Sequence, residues 1–324
     1  MNDDHLNFSV IIPTFNRAGV LQRCLEALTR QTFLAERFEI IVSDDGSDDD
    51  TADVAKRWVA LKTHSIRYLS QANQGANAAR NLAVRESRAR LLLFINDDTI
   101  APPTLLAEHY RIHCQYPEEQ VAVLGRMTYS PELPHNLFSR LHLDANYGLW
   151  TGKKELDWRA FYTCNVSVKK ALLLKYGLFE ERMRYHEDLE LSERLSRHGL
   201  RLLYNPNALG YHYHLLQESE YLRVAKREGK ALAIWYDLSP QLGRELAVIG
   251  FHPTAGPLRR LKLFLGDLLC NRLTRPLFLA GARFLSPRNE DLACWFYTKL
   301  YQSLKREGVR EELRHLRQDR KRSS

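Results

Sequence analysis

The chain has 324 residues, 44% of them apolar and 27% charged, which is the composition of a globular protein and excludes a disordered or collagen-like one. Its oiliest runs, such as residues 277–282, are far shorter than the roughly 18 residues of a membrane-spanning helix. Five scattered cysteines without a C-x-x-C pair argue against a disulfide framework or a zinc knuckle, and the acidic start MNDDHLNFSV does not resemble a secretory signal. We therefore expect a cytoplasmic protein.

The net charge of +8 is concentrated near the C-terminus. Residues 255–324 carry 16 Lys and Arg against 7 Asp and Glu, so the preceding part of the chain is close to neutral. A basic segment of this kind favours an anionic partner such as lipid headgroups, with nucleic acid as the weaker candidate.

Residues 1–128 alternate short apolar runs with segments of helical periodicity, in the order β-α-β-α-β-α-β-α-β. The runs are FSVII, AGVLQRCLEALTRQT, FEIIVS, TADVAKRWVAL, IRYLS, GANAARNLAVRES, ARLLLFI, TLLAEHYRIHCQ and VAVLGRM. Strands that alternate with helices of this length predict an α/β sandwich with mainly parallel strands.

The remainder of the chain is less regular at first and then helical. Residues 129–158 contain prolines and aromatic residues without a period, which predicts a long loop. A strand AFYTCNVSV, a helix KALLLKYG, a helix LELSERLSRHG ending on Gly199 and the strands RLLYNP and ALGYHYH follow. After Leu215 the pattern is helical. We therefore expect a domain at residues 1–215 and a basic helical extension at residues 216–324.

Polar residues follow the first four predicted strands, in PTFNR (13–17), SDDGSDDDT (43–51), QANQGANAARN (71–81) and NDDT (96–99). The carboxyl ends of parallel strands form the ligand crevice of an open α/β sheet. Asp97 and Asp98 directly follow an apolar strand, where two carboxylates repel unless a cation holds them. Mg²⁺ or Mn²⁺ suits such oxygen ligands and leaves positions for phosphates. The alternative is a turn or a helix cap.

No glycine-rich phosphate loop of the Rossmann or P-loop type occurs in the chain. The polar segments instead resemble, in order, those of the family 2 glycosyltransferases, which have the GT-A fold and transfer a sugar from a nucleotide diphosphosugar with inversion. The similar segments are VIIPTFNR (10–17), VSDDGSDDDT (42–51), NQGANAARN (73–81), FINDDT (94–99), CNVSVKKALLLKYGLFEE (164–181), HEDLELSERL (186–195) and YHYH (211–214).

The resemblance implies a GT-A, Rossmann-like, mostly parallel sheet flanked by helices, with a helical C-terminal extension. Residues 1–128 would form the nucleotide-binding half of the domain and residues 129–215 the half that holds the acceptor and the catalytic base. It also implies a nucleotide sugar donor, taken here as UDP-linked, a Mn²⁺ or Mg²⁺ cofactor, and a glycan or lipid-linked acceptor in the synthesis of a cell-envelope polysaccharide.

The same resemblance assigns site residues. Asp45 would accept a hydrogen bond from the nucleotide base, as suits an acceptor-only group. Asp97 would serve the ribose or the metal shell, and Asp98 the metal, although Asn96 stands where the family's D-x-D motif has its first aspartate. The other donor-pocket candidates are Pro13, Thr14, Arg17, Gly75 and Arg80.

The HEDLEL segment would supply the general base Asp188, with Glu187, His186 and Asn165 on the acceptor side. His212 would complete the metal shell. Structural alternatives remain open: Glu187 and Asp188 as helix caps, Arg80 as a solvated charge, and His212 as a structural histidine. His109 and His113, at i, i+4 spacing without a third ligand nearby, are expected to be a helix face and not a zinc pair.

Leucines recur at helical spacing in LRRLKLFLGDLLCNRL (258–273), with Arg and Lys between them. This pattern predicts a basic amphipathic helix that contacts an anionic membrane, which would place the protein peripherally on the inner face of the cytoplasmic membrane. The alternative is a helix packed on the catalytic domain. Two other functions stay open: a catalytically silent relative acting as a scaffold or anionic-lipid binder, and a nucleotidyltransferase, for which PTFNRAG is a poor phosphate loop.

Overall fold

The computed structural model describes residues 6–141 and 147–323. The strands are β1 (Phe8–Thr14), β2 (Phe38–Asp44), β3 (Ser65–Ser70), β4 (Leu91–Ile95), β5 (Thr99–Ile100), β6 (Val121–Tyr129), β7 (Glu155–Leu156), β8 (Asn165–Lys169) and β9 (Arg201–His212). The α-helices are α1 (Ala18–Leu28), α2 (Thr51–Leu61), α3 (Ala76–Glu86), α4 (Leu105–Gln115), α5 (Leu137–Ser139), α6 (Lys170–Tyr176), α7 (Glu187–Ser196), α8 (Glu218–Leu238), α9 (Gly243–Ile249), α10 (Pro257–Leu269), α11 (Arg275–Leu285) and α12 (Glu290–Ser323).

Within the described residues, the strands form one sheet in the order β3-β2-β1-β4-β8-β6-β9-β5, with β7 paired to β9. Strands β1 to β4 pair in parallel, and so do β6 and β9. Strand β8 lies between β4 and β6 and is antiparallel to both, while β5 and β7 are antiparallel to β9. The predicted α/β fold with a mostly parallel sheet and a helical C-terminal region is confirmed.

The sheet is buried on both faces because its strands are apolar at successive positions. In β1, Val10 and Ile12 pack in one cluster with α1 and α4, and Ile11 packs in the other with β8 and α6. Burial on both sides fixes the strand ends, so the loops that follow them start from a rigid edge.

The strand order changes direction at β1, because β2 and β3 lie on one side of it and β4 lies on the other. Pairing of β1 with β4 ends at Ile11 opposite Phe94, so the two strands separate before Pro13 and Thr14. Such a switch point opens a crevice at the carboxyl ends of the strands, where ligands of open α/β sheets bind.

Contacts divide the described residues into two compact units. Unit 1 lies within Met1–Pro134, Leu143–Glu181 and Glu187–Leu215, and unit 2 within His135–His142, Arg182–His186 and Leu216–Ser324. Two short internal segments, residues 135–141 and 182–186, thus group with the C-terminal helices.

Unit 2 is built around the crossing of α8 and α12, which meet at two glycines. A Cβ on Gly229 would lie 2.0 Å from the Lys305 carbonyl oxygen, and one on Gly308 would lie 2.2 Å from the Lys226 carbonyl oxygen. The backbones therefore touch, and no larger residue fits at either position. A second apolar cluster, with Tyr297 and Leu300 at its centre, packs α11 against α12.

The structure differs from the expected elements in several details. The segments RLLYNP and ALGYHYH form one strand, β9, whose pairing with β6 shifts register between Gly125 and Arg126. Strand β8 starts at Asn165, later than the sequence indicated. The predicted loop at residues 129–158 contains the short elements α5 and β7, and its residues 142–146 lie outside the described residues.

Candidate active site

The two adjacent carboxylates that follow β4 lie at the switch point, and both pair with the guanidinium of Arg17. Asp97 and Asp98 form the tight turn between β4 and β5 and are both buried. Arg17, which precedes α1, places Nε 3.2 Å from Asp97 Oδ1 and Nη2 2.7 Å from Asp98 Oδ2. Thr14 Oγ1 donates a 2.8 Å hydrogen bond to Asp97 Oδ2. Two ion pairs and one hydrogen bond therefore connect the end of β1 and Arg17 to the turn that follows β4.

The end of β9 brings a histidine to the same turn. Strand β5 directly follows Asp98 and pairs with β9 so that Thr99 is opposite His212. His212 Nε2 lies 3.4 Å from Asp98 Oδ2, and the Tyr213 backbone N–H donates to the Asp98 carbonyl at 2.7 Å. Residues 98 and 212, distant in sequence, are therefore fixed side by side by main-chain pairing.

Burial and nearby charges give the two carboxylates of the pair different pKa values. Burial raises the pKa of Asp97 to about 6, against the opposing charge of Arg17. Burial also raises the pKa of Asp98, but the hydrogen bond and charge of His212 and the charge of Arg17 outweigh it and bring this pKa to about 2. Asp98 is the permanently ionised member, and its buried Oδ1 has no hydrogen-bond partner among the described residues.

Asp45, at the end of β2, ties the next loop to the sheet. Its Oδ1 accepts hydrogen bonds from Gln71 Nε2 (2.8 Å) and the Gln74 backbone N–H (2.9 Å), and its Oδ2 accepts one from the Gly75 N–H (2.7 Å). Gly75 has φ 99° and precedes α3, a backbone conformation that residues with a Cβ rarely adopt. Asp45 therefore sets where α3 begins.

Helix α3 carries three buried polar side chains that hold the chain ahead of α7. Asn81 exchanges two hydrogen bonds with the backbone of Phe179, at 2.9 and 3.0 Å. Asn77 donates to the Glu180 carbonyl at 3.0 Å. Arg80 Nη1 lies 2.9 Å from Glu187 Oε1, in the first turn of α7. These contacts position the next residue, Asp188.

Asp188 is partly buried, and its surroundings disfavour its ionised form. Burial and the charge of Glu187 raise the pKa of Asp188 well above its ordinary value, although Arg80 and hydrogen bonds from the Leu189 and Thr163 backbone oppose this. A carboxylate that binds a proton more readily than usual can act as a general base near neutral pH.

The thiol of Cys164 links the two carboxylate sites. Burial raises the pKa of Cys164 to about 12, and the negative charges of both Asp188 and Asp98 act in the same direction. Both carboxylates are thus close enough to interact with one side chain at the start of β8. Asp98, His212 and Asp188 belong to one region of unit 1.

Residues 9–173, about half of the chain, match the model of Glycosyl transferase family 2. The chain belongs to this family. The match includes the ends of β1, β2 and β4, and it stops before α7, which carries Asp188.

Named relatives agree with the family assignment. The validoxylamine A glucosyltransferase of Streptomyces hygroscopicus subsp. jinggangensis (strain 5008) is 32% identical over 226 residues, covering 59% of this chain and 52% of that protein. The uncharacterized glycosyltransferase YfnE of Bacillus subtilis (strain 168) is 30% identical over 242 residues, covering 59% and 61%. The chain spans about half the length of the curated relatives it matches.

A solved structure confirms the GT-A fold expected of a family 2 glycosyltransferase. The mannosyltransferase PcManGT from Pyrobaculum calidifontis, in complex with GDP-Man and Mn²⁺, aligns with TM-score 0.61 and 17% identity over 93% of this chain and 87% of that one. TarS 1-349 of S. aureus in complex with UDP aligns with TM-score 0.54 and 17% identity over 97% and 92%. At this identity the likeness concerns the fold alone.

The residues around Asp98 fit a hard divalent cation. The unpartnered Oδ1 of the ionised Asp98 is an anionic oxygen, and His212 Nε2 lies beside the same carboxylate. The described residues contain no cluster of three or more His, Cys, Asp or Glu side chains arranged around a metal. A cation held by one carboxylate and one imidazole takes its other ligands from water and phosphate oxygens, as Mg²⁺ commonly does.

Two residues predicted on the acceptor side have other surroundings. Asn165 is fully buried, where its amide donates to the Ala208 carbonyl (2.8 Å) and its Oδ1 contacts His109 Nε2 (2.9 Å). His186, at φ 59°, groups with unit 2, where its Nε2 lies 3.1 Å from Glu228 Oε1. The structure gives both of them internal contacts.

His109 and His113 of α4 lie in a buried polar row along β8. Ser167 Oγ is 2.8 Å from His109 Nδ1 and 2.8 Å from His113 Nε2, and Lys169 Nζ is 2.9 Å from His113 Nδ1. Burial lowers the pKa of His109 to about 4 and that of Lys169 to about 8. Both histidines therefore lie on the side of α4 that faces β8.

Sequence reasoning missed the part of the site made by α3. Arg80, a predicted donor residue, pairs with Glu187 beside Asp188, and Asn77 and Asn81 are not among the predicted site residues. The one available signal was their spacing: positions 77, 80 and 81 lie on one face of a helix, and three large polar residues on the same face of a buried helix need partners.

Proposed function

We propose that this protein transfers a sugar from a nucleotide diphosphosugar to a hydroxyl of a glycan or lipid-linked acceptor, with inversion at the anomeric carbon. The observation that carries the proposal is the unpartnered Oδ1 of Asp98 beside His212, in the same region of unit 1 as a carboxylate with a raised pKa, Asp188. We further propose residues 1–215 as the catalytic domain, with residues 216–324 as its helical extension.

The donor half of the site would lie at the ends of β1, β2 and β4. Thr14, Arg17 and Asp97 are connected at the switch point, where the diphosphate and ribose would bind. Asp45 accepts three hydrogen bonds, which leaves a carboxylate one further lone-pair position for a base N–H. The TarS structure contains UDP, and we take a UDP-linked sugar as the first candidate.

Asp98 and His212 would hold a Mn²⁺ or Mg²⁺ ion, and PcManGT was solved with Mn²⁺. When bound, this cation neutralises negative charge that develops on the departing nucleoside diphosphate. Asp98 suits this role because its pKa of about 2 keeps it ionised at every physiological pH. Arg17 would then be free to move from the carboxylate pair to a phosphate oxygen, since its guanidinium fits either partner.

Asp188 would take the proton of the acceptor hydroxyl while the acceptor oxygen forms its bond to the anomeric carbon and the bond to the diphosphate breaks. One base suffices because the diphosphate leaves without a proton. Arg80 and Glu187 hold the start of α7, so they set the direction of the carboxylate, and the charge of Arg80 limits the rise of the Asp188 pKa. Residues 129–165 remain the predicted source of acceptor selectivity.

The test is a calorimetric titration of UDP and GDP into the protein, with and without Mn²⁺. We expect nucleotide binding that requires Mn²⁺ and that weakens about tenfold or more in Asp98→Asn, because the variant loses the anionic ligand. Asp53→Asn, a change at an exposed aspartate on α2 of the same unit, is the matched control and should bind as the wild type does.

Equal binding with and without Mn²⁺, or an unaffected Asp98→Asn variant, would contradict the proposed metal site. Metal-dependent binding without release of sugar from any donor in a panel of nucleotide sugars would instead favour the catalytically silent alternative.

A further inference from the structure

Helix α10 of unit 2 turns its apolar side outward. Six large apolar residues of this helix are 54–70% exposed: Leu258, Leu261, Phe264, Leu265, Leu268 and Leu269. They occupy a continuous sector of about 140° at 100° per residue, which we call the outer face of α10. In the described part of the chain the helix buries none of its residues. Monomeric proteins rarely leave so large a contiguous apolar surface in water.

The opposite side of α10 contacts α12 of the same unit through ion pairs. Asp267 accepts hydrogen bonds from Arg306 Nε (2.5 Å) and Arg310 Nη1 (2.8 Å) of α12. After the helix, Arg272 Nη2 lies 3.1 Å from Glu307 Oε1. The orientation is therefore fixed by ion pairs on the inner side, and it is the reverse of an amphipathic helix packed on a core.

The exposed apolar surface continues beyond α10. Leu273, in the connection to α11, is 87% exposed, and Leu277 and Phe284 on α11 are also exposed. Beneath them α11 is packed normally, with Phe278 and Leu279 in the apolar cluster of unit 2. The outward residues thus stand on a packed support.

The charge around this surface selects the class of partner. Residues 255–288 contain seven Lys and Arg and a single acidic residue, Asp267, which is already paired inward. Arg259, Arg260 and Lys262 are exposed at the start of α10. A second copy of this chain placed on the outer face would bring two such basic segments together, which is repulsive. A partner surface that is apolar inside and anionic at its boundary complements both the exposed apolar residues and the exposed basic residues.

We propose that the outer face of α10 lies in the surface of a membrane that contains anionic lipids. The leucines and Phe264 enter the boundary between headgroups and acyl chains, and the basic residues at the helix start contact the headgroups. None of the described helices is both long and apolar enough to cross a bilayer, and α10 is about 20 Å long, so it lies along the membrane. This inference concerns unit 2 and does not depend on the proposed reaction.

The experiment is co-sedimentation of the full chain with vesicles of phosphatidylcholine, with or without about 30% phosphatidylglycerol. We expect binding to the anionic vesicles that weakens about tenfold or more in Leu261→Gln/Leu265→Gln/Leu268→Gln. A matched control is Leu34→Gln/Leu61→Gln/Leu174→Gln in unit 1, where the leucines are 59%, 57% and 56% exposed, against 55%, 54% and 67% in the first set. The control variant should bind as the wild type does.

The contribution of charge is measured separately. Arg259→Gln/Arg260→Gln/Lys262→Gln should weaken binding to anionic vesicles severalfold and reduce its sensitivity to salt between about 0.1 and 0.5 M. Lys56→Gln/Arg57→Gln/Lys62→Gln, at exposed positions of unit 1, is the control. Thermal melting of all four variants verifies that they are folded.

Three outcomes overturn the proposal. The first is no binding to anionic vesicles, and the second is equal loss of binding in the α10 variant and its unit 1 control. The third is a wild-type dimer in solution that the α10 substitutions dissociate without any vesicle binding, which would assign the outer face to a second copy. Nucleotide titrations of the same variants are independent, so a failure here is distinguishable from a failure of the proposed function.

Discussion

Two regions of the molecule are unusual in opposite ways. They are the carboxyl edge of the sheet in unit 1 and the outer face of α10 in unit 2. Unit 1 buries carboxylates at the ends of its strands, where water is scarce. Unit 2 exposes six large apolar side chains of one helix to water. Charged residues are almost never fully buried unless they are paired, and large apolar patches are rarely exposed.

The two departures differ in how far the chain compensates for them. In unit 1, Arg17 and His212 lie beside Asp98, and Arg80 partly offsets the charges of Glu187 and Asp188. Asp98 Oδ1 still has no hydrogen-bond partner among the described residues, and the pKa values of Asp97 and Asp188 stay raised. Around α10 the described residues leave more than half of each outer-face side chain exposed. Places where a sequence breaks the usual rules without full compensation are where function is expected. In our two proposals, the first region binds a small ligand in a crevice and the second contacts an extended surface.

The largest expected effect in the molecule is on catalysis. Asp188→Asn removes the proposed base while it keeps the size of the side chain, so we expect the rate of sugar transfer to fall about 10³-fold. Donor binding should change by less than about twofold, because Asp188 is not among the donor residues. Initial rates with a transferable acceptor and calorimetric binding of the donor measure the two quantities.

Glu190→Gln is the matched control for Asp188→Asn, since Glu190 lies on the same helix and is paired with Arg194 at 3.0 Å. It should retain activity within about threefold, because it removes only a partly exposed ion pair. An Asp188→Asn enzyme with nearly normal rates would show that the raised pKa of Asp188 reflects burial alone. The buried carboxylates of unit 1 would then give no support to a general base at this position.

The next effect tests whether unit 2 is a packed support for its outer face. Gly229→Ala would place a Cβ 2.0 Å from the Lys305 carbonyl oxygen, so α8 and α12 must move apart. We expect a loss of about 2–3 kcal/mol in the free energy of unfolding, measured by urea denaturation. In Gly19→Ala of α1, the new methyl group has no atom within 4 Å apart from its chain neighbours and the backbone of its own helix. This substitution should therefore stabilise the protein by about 0.5–1 kcal/mol.

The two alanine substitutions therefore have opposite signs. If Gly229→Ala is tolerated as well as Gly19→Ala, the helices of unit 2 pack loosely in solution. The exposure of the α10 leucines would then reflect loose packing and carry no functional meaning.

The sequence predicted the carboxyl ends of the first strands well because strand ends are local features. A buried apolar run followed by Asp97 and Asp98 marks both the strand and its carboxyl end, and the structure places both residues at the switch point. The rest of the site depends on sheet order. Strand β8 lies between β4 and β6, and no periodicity in its sequence indicates which strands it pairs with.

Two further features were beyond the sequence for physical reasons. Asn81 holds the backbone of Phe179, 98 positions away, and such a contact arises only after the two segments have folded onto the same sheet. The leucine spacing of residues 258–273 correctly predicted an amphipathic helix. The same spacing suits a helix packed inward or outward, so the outward direction became visible only through Asp267 and its partners in α12.

The smallest expected effect is on stability, and it depends on pH. The folded protein holds the pKa of Asp188 above its ordinary value of about 3.9, so between these two pKa values the folded state binds more protons than the unfolded state. The free energy of unfolding therefore decreases as pH rises through this window, and the full penalty remains above it. Asp188→Asn has no such penalty, so we expect it to be more stable than the wild type by about 1 kcal/mol at pH 8, and equally stable near pH 4, in urea denaturation. Glu190→Gln should instead be no more stable than the wild type at pH 8, because it loses its ion pair with Arg194. A variant whose advantage does not depend on pH would mean that Asp188 ionises normally, and the base of the proposed reaction would have to be sought elsewhere.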